Sequence, residues 1–189
     1  MPSVSSSLLK SFREPTHIAP LAIFRIAFGA LMFMSTIRFF LKGWIADFYI
    51  TPKFYFPYYG FEWVTPLDAD GMYVVFVLMA LSSLMIMVGL FYRLSSIVFF
   101  FSFAYVELLD KTYYLNHYYL ISIIAFLMML VPAQRYFSFD ALRNPDIEVS
   151  RVPGWTINIF KLQLCLTYFF AGISKINYNW LIYKQGQRH

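Results

Sequence analysis

The run from Ile18 to Leu41 constrains this chain more than any other feature. Apart from Arg25 and Arg38 it is nearly all apolar. It exceeds the roughly 20 residues that a helix needs to cross a bilayer. Four further apolar runs follow, from about Met72 to Phe91, Leu94 to Leu109, Tyr118 to Val131 and Trp155 to Ile176. The fourth of the five is short. Backbone polar groups in hydrocarbon must be satisfied within the segment itself, so runs like these fold as helices. The pattern predicts an all-α polytopic membrane bundle of about five transmembrane helices. No strand-like alternation, internal repeat or low-complexity stretch competes with it.

Composition agrees. Only 13% of residues are charged and 60% are hydrophobic, with a mean hydropathy of +0.59. Soluble domains carry about 25% charged residues, so this chain could not cover a soluble surface. The net charge of +5 lies on no basic stripe and reads as membrane orientation, not as nucleic-acid binding. The single cysteine, Cys165, excludes an intrachain disulfide and reads as a small core residue. Residues 1–17 lack the apolar segment of a cleavable signal and read as a cytoplasmic leader before the first span.

Basic residues near the helix ends set the expected orientation. Lys10 and Arg13 precede the first span, Arg93 lies between the second and third, and Arg135, Arg143 and Arg151 follow the fourth. The N-terminus is therefore expected in the cytoplasm. The corner DKTYYLNH between spans three and four then falls on the outer or luminal face, together with Lys175 at the end of span five. The segment FYITPKFYFPYYGFEW packs nine aromatics into residues 48–63 on that face. It reads as an interfacial aromatic belt or as one wall of a pocket for a flat, lipid-soluble ligand.

Polar residues at the corner are Glu107, Asp110, Lys111, Asn116 and His117. Glu107 and Lys111 stand i,i+4 in the favourable order, so they pair if the third helix continues that far. Asn116 could cap the fourth helix or bind a ligand, and His117 opens that helix. On the fifth span the polar positions are Lys161, Gln163, Lys175 and Asn177. Lys161 and Lys175 can both snorkel. Gly172 and Ser174 beside Lys175 would permit close packing and turn that face toward protein. An amine there would be partly desolvated, which favours its neutral form, and a neutral amine is a general base. No metal-ligand cluster, phosphate loop or Ser/His/Asp order is present, and no metal is expected. Proton abstraction by an amine is the one catalytic idea that the residues themselves support.

The run LFYRLSSIVFFFSFAYVELLDKTYYLNHYYLISIIAFLMML, then FSFDAL, then LTYFFAGISKINYNW, resembles the vitamin K-dependent gamma-glutamyl carboxylase family, also called the horizontally transferred transmembrane domain (HTTM) family. PLAIFRIAFGALMFM and DADGMYVVFVLMALSSLMIMVGL are similar to it too, so the resemblance covers about residues 20–180. It implies a membrane enzyme, a carbon–carbon lyase, that uses vitamin K hydroquinone, O2 and CO2. Such an enzyme converts glutamate in a protein substrate to gamma-carboxyglutamate and couples this to vitamin K epoxidation. Lys175 matches the family's base that deprotonates the hydroquinone, and Ser174 replaces the first of two adjacent lysines in the vertebrate pattern. His117 matches the histidine that supports the oxygenated intermediate or the substrate carboxylate. The family's fold implies a luminal site.

The resemblance divides the chain into a leader (1–17), a transmembrane domain (18–180) and a tail (181–189). Family members continue with further spans and a luminal β-rich domain, so the tail reads as truncated. The vertebrate-type cysteine of the first outer loop is absent. Two alternatives stay open: a quinone-binding membrane protein that does not carboxylate, and an inactive structural membrane fragment.

Overall fold

The computed structural model describes residues 12–113 and 115–175. Strand β1 (Pro15–His17) leads into α1 (Ala19–Lys42) and the short α2 (Trp44–Tyr49). After an irregular loop come α3 (Ala69–Val88), α4 (Tyr92–Leu109) and α5 (Asn116–Leu130). A segment with one further short helix, α6 (Phe139–Arg143), leads to strand β2 (Arg151–Pro153) and α7 (Trp155–Ser174). Four helices, α1, α3, α4 and α7, are long and apolar enough to cross a membrane. The fold is thus the all-α membrane-type bundle that the sequence predicts. The short fourth run forms α5, whose 15 residues reach about 22 Å at 1.5 Å per residue. That falls short of a full crossing of a core about 30 Å thick.

The strands were not foreseen. β1 pairs antiparallel with β2, with Pro15 opposite Pro153 and His17 opposite Arg151. This ties the segment before α1 to the segment before α7, so those two helices start from one end of the bundle, here the strand end. The opposite end carries the 110–115 corner and is here the corner end.

The bundle is held by close approach at small residues, because apolar burial gives little drive between helices already in lipid. A Cβ on Gly29 of α1 would lie 2.5 Å from the backbone nitrogen of Met87, so α1 and α3 touch there only because glycine has no side chain. Ser82 and Ser83 of α3 and Ser95 and Ser96 of α4 are buried. Their hydroxyls return to backbone carbonyls three to five residues earlier, as Ser83 does to Ala80 at 2.8 Å, so none of the four is an orphaned donor. Phe76 and Phe99 are 1% exposed and fill the centre.

A polar knot closes the strand end. Arg25 is fully buried, which is costly in a spanning helix unless its donors are matched. Its guanidinium donates to the carbonyls of Ala133 at 2.9 Å and Phe137 at 2.6 Å. Asp140 accepts from the backbone N–H groups of Phe91 and Tyr92, each at 2.9 Å. It thereby serves as the N-terminal cap of α4 from 48 residues away. Between them Gly89 turns with φ +71°, and a Cβ on it would lie 2.4 Å from Cβ of Ser138 and 2.7 Å from Nη1 of Arg25. Only glycine fits that position.

Among the described residues, helix α7 fully buries side chains only in its first half. Phe160 is buried and its ring lies 4.8 Å from that of Phe24. Beyond it Tyr168, Phe169 and Phe170 are exposed. Two expectations fail on this half. Gly172 has no neighbour within 4 Å of a built Cβ, so the Gly172–Ser174 face is not packed on protein. Cys165 is exposed and is not a core residue. Both follow from the same cause: no described helix covers this side of α7.

Candidate functional site

The corner end gathers most of the polar residues read from the sequence. Helix α4 stops at Leu109 and Asp110 is extended (φ −149°). The helix therefore does not reach Lys111, and the expected Glu107–Lys111 pair does not form. Lys111 is exposed. Its backbone N–H donates to the carbonyl of Phe56 at 2.9 Å, which fastens the corner to the aromatic segment. Asp110 is buried, and its Oδ1 accepts from the backbone N–H and the hydroxyl of Thr112, both at 2.8 Å. This is an Asx-type turn, so Asp110 shapes the corner.

Asn116 is the first helical residue of α5, and the residue before it, Leu115, has no side-chain cap. Asn116 therefore does not cap the helix. It lines a groove of about 520 Å³ between α5 and α7, with Leu120 and Ile123 on one wall and Gln163, Phe170 and Ser174 on the other. His117 is exposed and sets its ring edge-on to Tyr118 at 4.6 Å. Lys175 follows Ser174 directly, as the C-cap of α7, and its backbone N–H bonds to the carbonyl of Gly172 at 3.1 Å. Its side chain is exposed, so the desolvation expected from neighbouring helices is absent among the described residues. Asn177 lies outside the described residues. The fold thus brings the start of α5 and the end of α7 to one groove, with Lys175 just past its lining and His117 beside it.

The aromatic segment presents several of its rings at the surface. Phe54, Tyr59 and Trp63 are exposed, as rings at a membrane surface are. Tyr49 is the exception, buried at the end of α2. Burial, then the nearby Glu107 carboxyl, push its phenol above the usual value. It stays a hydroxyl at ordinary pH.

Sequence reasoning missed a second polar feature. Glu107 faces a small cavity inside the bundle, lined also by Ser35, Thr36, Tyr49 and Tyr118. These come from α1, α2, α4 and α5. No local motif joins them. The one available signal was a glutamate inside an otherwise apolar span, which marks a functional candidate.

These features define a polytopic helical membrane protein with a polar corner and a ligand-sized groove at one end. The HTTM domain family model matches residues 13–187, and the chain belongs to that family. The domain is associated with vitamin K-dependent carboxylases. No solved structure matches the chain.

Proposed function

We propose that the chain is the membrane domain of a carboxylase-type enzyme that couples vitamin K hydroquinone oxygenation to gamma-carboxylation of glutamate in a protein substrate. One observation supports the reading above the rest: in a member of the HTTM family, the two segments that resemble the carboxylase site flank a single groove. At about 520 Å³ the groove falls within the usual range for small-molecule sites, about 300–1,000 Å³. Its walls pair apolar Leu120, Ile123 and Phe170 with polar Asn116, Gln163 and Ser174. Such walls suit a flat apolar ring with hydroxyls at its edges.

Once bound, the quinol supplies an acidic hydroxyl and the electrons that activate O2. Lys175 takes the hydroxyl proton at Nζ from its place one residue beyond Ser174. A phenol-like hydroxyl titrates near 10, so the amine must be neutral and shielded from water when it acts. No described helix shields it, so a bound ring and surrounding lipid would. His117, at the rim, steers the substrate carboxylate. Asp110 holds the corner that carries Asn116 and His117, and Lys111 offers an exposed cation to an acidic protein substrate. By the positive-inside rule, the exposed Arg135, Arg143 and Arg151 of the strand end lie in the cytoplasm. The groove then opens on the outer or luminal face.

The exposure of Lys175 also favours a second reading, a quinone-binding membrane protein that does not carboxylate. A purely structural role predicts the same exposure. One assay separates the three. The chain is placed in nanodiscs with reduced vitamin K, O2, labelled bicarbonate and a glutamate-rich peptide. Label in the peptide together with epoxide is expected. Quinone binding without label would favour the second reading, and neither binding nor turnover would overturn both.

A further inference from the structure

The cavity at Glu107 is separate from the groove between α5 and α7, and the proposed reaction does not use it. Its volume is about 30 Å³. A water molecule needs about 10–15 Å³ of such space and two to four polar partners, so the cavity holds one water, or two at most. Three residues that carry such groups, Glu107, Tyr49 and Tyr118, line it from three different helices. Among the described residues none of these three groups makes a hydrogen bond. Thr36 already donates to the carbonyl of Met32 at 2.8 Å, so only its lone pairs are open to the cavity.

Nor does a cation neutralise Glu107 among the described residues. Arg38 lies within electrostatic reach of Tyr118, but its guanidinium sits over the Trp44 ring at 5.3 Å. It forms no ion pair with Glu107 among the described residues. Asp110 and Tyr113 are the other titratable groups near Tyr49. Three unmatched polar groups around a water-sized space would be costly in an apolar bundle if the space were dry.

We propose that this cavity is a hydrated proton site, in which one water bridges the Glu107 carboxyl to the hydroxyls of Tyr49 and Tyr118. In the transfer step the carboxyl O–H bond breaks and the water oxygen gains that proton. The water gives another proton to the Tyr118 hydroxyl oxygen, which releases its own to a water molecule of the solvent at the corner end. One proton leaves and a carboxylate remains, and the reverse path restores the acid. Tyr118 adjoins His117, so the route ends beside the groove. The site needs no quinol and stands whether or not the carboxylase reading does.

Infrared spectroscopy of the full chain in nanodiscs, in H2O and D2O, tests it. A carboxylic-acid carbonyl band at neutral pH is expected that shifts in D2O and is lost in Glu107→Gln. If Glu107→Gln does not fold, Tyr49→Phe and Tyr118→Phe supply the reading, since each removes one hydroxyl and keeps the shape. A displaced band in either supports the bridge. A spectrum with no band that Glu107→Gln removes, a band indifferent to D2O, or one unmoved in both phenylalanine variants overturns it.

Discussion

Asn116, at the start of α5, and Ser174, at the end of α7, line the same groove although 58 positions separate them in sequence. The first stands beside His117 and the second beside Lys175. The two segments singled out by resemblance therefore meet in the folded bundle.

The glycines make a paired test of the packing. Gly29→Ala must drive a methyl into the Met87 backbone, which cannot move without parting α1 from α3. A loss of roughly 2–3 kcal/mol is expected, in the range of overpacking. Gly172→Ala meets nothing and should be neutral or stabilising by up to about 1 kcal/mol, the helix-propensity gain of alanine. Thermal unfolding in one detergent, followed by tryptophan fluorescence, compares them. A costly Gly172→Ala would mean that α7 is packed on a partner along that face.

Arg25→Met should destabilise by roughly 3 kcal/mol, because the carbonyls of Ala133 and Phe137 lose a charged donor while remaining buried. Asp140→Ala should act through the same knot by uncapping α4. The two losses should fall short of additive in the double variant if Arg25 and Asp140 support one structure.

Much of this fold can be read in the sequence, for a physical reason. Each spanning helix satisfies its backbone locally, so the apolar runs mark α1, α3, α4, α5 and α7 to within a few residues. Even the shortness of α5 is visible. The strands are not, because three residues carry no alternation and the partners lie at opposite ends of the chain. Arg25 is visible as an oddity, but its carbonyl partners come from more than a hundred residues away. At the site, the corner residues and Lys175 can be picked out by type and position. What escapes is where each points. Two residues at a helix end decide whether Glu107 meets Lys111, and the cover over Lys175 depends on tertiary neighbours.

An acid-sensitive loop is expected at the corner end. The N–H of Gly60 donates to Oε1 of Glu62 at 3.0 Å. Backbone N–H groups of Glu62 and Gly60 hold that exposed carboxyl below its usual value. A depressed carboxylate favours the folded turn above the ordinary carboxylate range, and that contribution is lost as pH falls through the lowered value. Trp63 fluorescence should therefore report loosening of the loop on acidification below about pH 4.5, the ordinary value. Glu62→Gln should remove that transition, and an unchanged acid response in the variant would contradict the assignment.

The most direct test of the central claim concerns Lys175. Vitamin K epoxide formation is measured in nanodiscs for the wild-type chain, Lys175→Ala and Lys175→Arg, with quinone binding followed in parallel. If Lys175 is the base, both variants lose at least about a hundredfold in epoxide rate, the lower bound for a positioned base, and still bind quinone. Wild-type turnover that persists in Lys175→Ala would contradict the account.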